Sequence, residues 1–220
     1  MKEESKKKDW RPIWLYLIIT IVSSFLIGLI ITFLSSANGN LEEYSKLIEP
    51  VSLVFSNVVI SIIFLVLYHK RLKKDICRLT KKNIIYIIVS AIVIILLNEL
   101  ISHIFELLKI ELSNQNSLNT YLLNFRIPMT LAIAIFAPFV EEMTFRYSLE
   151  TVCKKDTSFI IISGLLFGIA HGVGLATTLY IFIGVCLSVI YIKTDKNIMV
   201  PIVIHILNNS VSVIEMLLLL

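Results

Sequence analysis

Apolar residues in this chain run in long unbroken blocks, and polar residues collect in the short stretches between them. Ile13 to Leu34 contains no charged residue, and Val51 to Tyr68 is equally clean. Neither block shows the helical or alternating periodicity of an element buried on one face only. Each is close to or above the roughly 20 helical residues that cross a hydrocarbon core. Seven such segments can be drawn, at about 13–35, 51–68, 84–108, 127–152, 158–171, 175–192 and 198–218. The pattern predicts an all-α fold, a polytopic transmembrane bundle of about seven spanning helices.

Composition supports that reading. Of 220 residues, 57% are hydrophobic and only 16% charged, and the mean hydropathy is +0.86; soluble domains carry about a quarter charged residues. The first block follows Lys6, Lys7 and Lys8, which invites a reading as a signal peptide. Its apolar stretch is too long for one, and Ser35 and Ala37 make a poor cleavage pattern, so it reads as a retained span. Cys77, Cys153 and Cys186 have neither disulfide nor metal spacing.

Prolines 12, 50, 128 and 201 lie near segment starts, where a missing N–H costs little. Pro138 lies inside the fourth segment and is expected to free a carbonyl near Ala134 and bend the helix. The fifth segment is short and ends in Gly168, His171, Gly172 and Gly174, so it is expected to stop inside the bilayer. Residues 1–120 are read as N-terminal spans with a basic loop, and 121–220 as the membrane core that holds the chemistry.

Lys and Arg fall on alternate connections. Sixteen of the twenty lie in residues 1–12, 69–83, 153–158 and 193–197, while the other connections hold only Lys46, Lys109 and Arg126. The positive-inside pattern predicts a cytoplasmic N-terminus and an external C-terminus in a cell-membrane protein. The net charge of +4 then reflects contact with the inner leaflet and gives no reason to expect nucleic acid.

Ionisable groups inside spans are costly and mark sites or paired clusters. Glu141, Glu142 and Arg146 lie in the fourth segment, His171 ends the fifth, and His205, Asn208 and Asn209 lie in the seventh. Counting from the nearest basic loop at about 1.5 Å per residue, Glu141, Glu142, His171, His205 and Asn209 reach roughly 13–22 Å into the membrane. One site near the bilayer middle, open toward the cytoplasm, is expected.

Glu142 and Arg146 are i and i+4, the favourable order for an ion pair. Glu141 points elsewhere, which makes Glu142 the structural carboxylate and Glu141 the reactive one. Carboxylate, water and imidazole form a workable general-base set, and His plus Asn can donate to an oxyanion. Taken singly, Arg146 could snorkel to the interface, and the asparagines could be interhelical glue. Glu99, His103 and Glu106 share a face of the third segment; they read as a cavity lining or an outer polar face, with a ligand role as the alternative.

At these residues the sequence resembles the CPBP family, the CAAX proteases and bacteriocin-processing enzymes. The motif E-E-x-x-x-R reads Glu141-Glu142-Met143-Thr144-Phe145-Arg146, F-x-x-x-H reads Phe167 to His171, and H-x-x-x-N reads His205 to Asn209. The resemblance covers roughly residues 127–212. It implies an intramembrane endopeptidase that cuts membrane-associated peptides or lipidated proteins at the inner face. By the same resemblance Glu141 is the general base and His171 orients the water. His205 and Asn209 stabilise the tetrahedral intermediate, and Glu142 with Arg146 braces the first motif.

Metal use divides the family's readings. A zinc site would use Glu141, His171 and His205, but there is no H-E-x-x-H and Asn is a poor zinc ligand, which favours catalysis without a metal. Two other classes compete with the peptidase, a non-catalytic immunity protein that binds a toxin peptide or its receptor, and a small transporter subunit. The absence of repeats counts against the transporter.

Overall fold

The computed structural model describes residues 8–38, 44–110 and 113–219. Lys2, Lys6 and Lys7, counted above among the basic residues of the N-terminus, lie outside them. The seven apolar segments become seven helices: α1 (Arg11–Asn38), α2 (Ile48–Cys77), α3 (Lys81–Leu107), α5 (Arg126–Val152), α6 (Asp156–Ala170), α7 (Thr177–Lys193) and α8 (Met199–Leu219). Among the described residues there is no strand. Five of the helices, α1, α2, α3, α5 and α8, are long and apolar enough to cross a membrane, while α6 and α7 are shorter. Large apolar side chains such as Phe25, Phe33, Ile85 and Ile169 cover the outside of the bundle, the surface expected where lipid is the solvent.

An eighth helix, α4 (Ser113–Asn124), occupies what the sequence reading took for a plain connection. Its residues are mostly polar, so no apolar run marks it. Leu118, Tyr121 and Leu122, continued by Phe125 beyond its end, nevertheless fall at helical spacing, and they pack with Met129, Ile133 and Val213.

Helix α5 is not a continuous α-helix. Ala132–Phe136 and Met143–Ser148 are π-helical and bracket the short α turn that carries Glu141 and Glu142. Pro138 is accommodated by this change of register. In an α-helix it would orphan the carbonyl of Ala134, as the sequence suggested. At i→i+5 spacing, shown by the Ala137 N–H donating to Ala132 O, the orphan is Ile133 O instead. Asn209 on α8 donates its Nδ2 to that oxygen at 3.1 Å.

Helices α6 and α7 form a tight antiparallel hairpin. A Cβ on Gly164 would meet Val185 Cγ2 at 2.5 Å, and one on Gly168 would collide with Ile181. Only glycine admits this approach, the small-residue packing familiar between membrane helices. Ser163 donates to Phe145 O (2.7 Å) and Ser188 to Ser163 Oγ (2.9 Å), which ties α5, α6 and α7 together. The turn between α6 and α7 passes through Gly172 and Gly174 at φ +122° and +154°.

The ends of the helices that carry the basic loops form one tied face. Arg11 clamps Asp9 through two hydrogen bonds (2.8 and 2.7 Å), Tyr68 donates to Asp9 Oδ2 (3.0 Å) and Ser148 donates to Asp9 O (2.5 Å). Asp75, fully buried, accepts from Arg71 Nε (2.7 Å) and from Ile198 N (3.2 Å). Arg71 and Arg78 in turn donate to the carbonyls of Lys196 and Asp195 (2.6 and 3.0 Å). Lys196 reaches Glu150 (2.7 Å) and Asp156 (3.0 Å). Behind this face Phe64, Tyr68, Phe159 and Tyr191 fill the interior.

Candidate active site

The structure brings Glu141, Glu142, Arg146, His171, His205 and Asn209 into one neighbourhood, from α5, the end of α6 and α8. Glu142 is fully buried, ion-paired to Arg146 at 3.0 Å and in contact with His205 Nδ1 at 2.8 Å. Arg146 is also fully buried, so it does not snorkel to the interface. Its guanidinium donates to Gly184 O (3.1 Å) and lies over the Phe167 ring at 4.4 Å.

Hydrogen-bond partners fix both imidazoles. His171 Nδ1 lies 2.8 Å from Phe167 O; a carbonyl can only accept, so Nδ1 carries the hydrogen and Nε2 points the other way. His205 Nδ1 donates in the same manner to Glu142 Oε1. The two Nε2 atoms therefore face Glu141, whose Oε2 lies 3.9 Å from His171 Nε2 and 3.8 Å from His205 Nε2. Glu141 Oε2 is buried and accepts no hydrogen bond from any described residue. These gaps are too long for direct hydrogen bonds and suit a shared water.

Phe167 explains its own place in F-x-x-x-H. Its ring contacts Arg146, His171 (centroids 4.5 Å apart) and His205 (5.6 Å). On the far side of His171, Tyr180 stacks nearly parallel at 4.5 Å and 16°. Sequence reasoning missed Tyr180, because nothing in the apolar run of α7 distinguishes a ring that faces a histidine from one that faces lipid.

Asn209 and Asn208 form a short relay. With Asn209 Nδ2 committed to Ile133 O, its Oδ1 accepts from Asn208 Nδ2 at 3.3 Å. Asn208 Oδ1 is left buried with no partner among the described residues.

The donor types of Glu141, His171 and His205 suit zinc, but their spacing does not. Tetrahedral zinc with bonds of about 2.0–2.1 Å sets its ligand atoms roughly 3.3 Å apart, against the 3.8 and 3.9 Å seen here. Among the described residues no three His, Cys, Asp or Glu groups are placed to hold a metal ion.

The site sits at the inner end of a cavity of about 430 Å³ that contains Glu141, His171 and His205 in its wall. From there the wall continues along Ser212 and Met216 of α8, Ser56, Ser52 and Glu49 of α2, and Leu118 of α4. All of these lie toward the helix ends remote from the basic loops. The opening was expected on the side of the basic loops, but the cavity runs away from them: bulky aromatics and the Asp9 and Asp75 networks fill the half next to those loops. Of the third-segment stripe, the cavity takes Asn98; Glu99 is exposed, and His103 and Glu106 pair with each other on an exposed surface (3.5 Å).

No curated protein and no solved structure matches the chain. Residues 123–211 match the family described as type II CAAX prenyl endopeptidase Rce1-like. That span includes all three motifs and the site residues from Ile133 to Asn209. Over those residues the chain is similar to the Rce1-like CAAX-type membrane endopeptidases, which is consistent with an intramembrane protease of the CPBP family.

Proposed function

We propose that the protein is an intramembrane endopeptidase that acts on membrane-associated peptides or lipidated proteins, with Glu141 as general base. The observation that carries this reading is the convergence of Glu141 Oε2 with two imidazole Nε2 atoms of fixed tautomer, at 3.9 and 3.8 Å. A water held among them loses a proton to Glu141 as its oxygen attacks the carbonyl carbon of a peptide in the cavity. The proton then passes from Glu141 to the amide nitrogen as the C–N bond breaks, and the products leave as acid and amine.

Three acceptors around one water exceed its two hydrogens. A proton on His205 Nε2 resolves the mismatch. Glu141 and Glu142 bring two negative charges and Arg146 one positive, so this proton also neutralises the cluster where net charge is costly. His205 then donates to the oxyanion while Glu142 holds its other nitrogen. The second hydrogen of Asn209 Nδ2 is the companion donor, its first being committed to Ile133 O. His171, clamped between Phe167 and Tyr180, orients the water. The reaction as proposed needs no metal cofactor.

Candidate substrates are a CAAX-like lipidated C-terminus or the precursor of a bacteriocin or signalling peptide. Comparison of membrane-associated peptides between cells expressing wild type and Glu141→Ala tests the reading. Uncut precursors should accumulate with the variant, and identical peptide profiles would sink the proposal. The hollow cavity, whose wall mixes polar and apolar side chains, would also suit a protein that confers immunity by holding a toxin peptide uncut; Glu141→Gln separates the two, since immunity by binding alone survives it.

A further inference from the structure

We propose that Tyr16, on α1 and outside the matched span 123–211, is a further catalytic residue whose hydroxyl donates a hydrogen bond to the oxyanion formed beside Glu141. Its place stands on three observations, and its chemistry rests on the peptidase reading. The first is depth. Helix α1 is anchored to the end of α5, where the Asp9 N–H donates to Thr151 Oγ1 (2.9 Å) and Ser148 donates to Asp9 O (2.5 Å). Tyr16 lies seven residues beyond Asp9, and Glu141 seven before Ser148. Two helices leaving one anchor in the same direction thus carry both groups to about 10 Å from it.

The second is direction. The Tyr16 ring packs edge-on against Phe145, centroids 6.0 Å apart, and Phe145 follows Glu141 by one turn of α5. The hydroxyl lies within range of the Glu141 charge, and among the described residues nothing hydrogen-bonds to it. The third is the face it occupies. Tyr16, Thr20 and Ser24, at i, i+4 and i+8, line the cavity that holds Glu141, His171 and His205, while Leu17, Ile18 and Ile21 on the other faces are exposed apolar side chains. A hydroxyl in such a wall costs free energy until something accepts its hydrogen. The reaction creates that acceptor. As water adds to the peptide carbonyl, its oxygen becomes an oxyanion with three lone pairs, and His205 and Asn209 supply two donors. Tyr16 supplies the third, and as a neutral phenol it adds no charge to the cluster. It keeps its proton throughout, so Glu141 alone carries the proton from water to the leaving nitrogen.

Tyr16→Phe tests it, because the variant loses the hydroxyl and keeps the ring against Phe145. The full-length protein is assayed in detergent with an internally quenched peptide spanning the cleavage site that the Glu141→Ala comparison identifies. A donor to the oxyanion acts in the transition state more than in the bound ground state. The expected result is therefore a fall in kcat of about 100- to 1,000-fold, with KM and the melting temperature near those of wild type. A wild-type kcat overturns the inference, and so does a raised KM alone, which would make Tyr16 a binding contact. A melting temperature that falls together with kcat also overturns it, by assigning the hydroxyl to the fold. Each of these results leaves Glu141 as the base untouched. Peptide profiles unchanged by Glu141→Ala would instead remove the peptidase reading, and the role of Tyr16 with it.

Discussion

Asn209 donates its side-chain N–H to the backbone carbonyl of Ile133, which lies 76 residues earlier in the chain. That carbonyl needs an outside donor because the residue five places on is Pro138. The site's asparagine is therefore also the repair for a break in the helix that carries Glu141 and Glu142.

The repair predicts a compensating pair. Asn209→Leu leaves Ile133 O buried and unpaired, which costs about 1–3 kcal/mol. Pro138→Ala restores a backbone N–H within reach, so the double variant should lose less stability than the two single losses combined. Thermal unfolding in detergent measures all three, and strictly additive losses would refute the coupling.

Glu141→Gln keeps shape and removes the proposed base, so the protein should fold and lose on the order of 100- to 10,000-fold in rate. Glu142→Gln weakens contacts to both Arg146 and His205, and breaking a buried pair costs about 3–5 kcal/mol. Arg146→Gln should rescue only part of that loss, since the guanidinium also holds Gly184 O and the Phe167 ring. A stable, inactive Glu142→Gln beside an unstable Glu141→Gln would reverse the roles.

Gly168→Ala should push α6 and α7 apart, because its Cβ would meet Ile181 side chain and backbone. Overpacking of this kind costs about 1–3 kcal/mol, and three residues on it displaces His171. Gly28→Ala, whose Cβ would find its nearest neighbour at 3.9 Å, is the control. Equal melting temperatures for the two variants would show that the hairpin has slack.

The Asp9 clamp predicts a pH signature. Burial pushes this carboxyl up, but hydrogen bonds from Arg11 and Tyr68 outweigh it and hold the group below the ordinary carboxylate range. A depressed native value stabilises the fold above the unfolded value of about 3.9 and loses that contribution as pH falls through the native one. Asp9→Asn should thus melt earlier than wild type at pH 7, and the difference should shrink below about pH 4. A difference independent of pH would assign the loss to shape rather than charge.

Thorough chelation of the purified protein should leave cleavage unchanged. Stoichiometric zinc in wild type, lost together with activity in His171→Ala and His205→Ala, would contradict this.

Much of the site was legible because buried charge is rare enough to stand out. Glu141, Glu142, Arg146, His171 and His205 each interrupt an apolar run, and the i to i+4 pairing of Glu142 with Arg146 survives even though the intervening turn is π-helical. The direction of the cavity was not legible. Counting residues gives a depth, whereas a void depends on which side chains meet, and Ser52, Ala137 and Ser212 meet only in three dimensions. The Asp75 hub was hidden for a related reason: amid a run of lysines and arginines, an aspartate reads as one more solvated charge until Ile198 and Asn197 close over it.

Helix α6 has 15 residues and α7 has 17, so they reach only about 22 and 25 Å, short of a hydrocarbon core of about 30 Å. Their outward side chains, Ile161, Leu165, Ile169 and Phe182, are apolar and exposed to lipid. Beside this hairpin the bilayer must thin to meet them, a hydrophobic mismatch confined to one sector of the bundle. The exposed Val173 and Leu175 of the connecting turn then sit in the dimple, next to His171. A membrane-bound peptide would find its shortest descent to the depth of Glu141 there, where the leaflet itself has been drawn down.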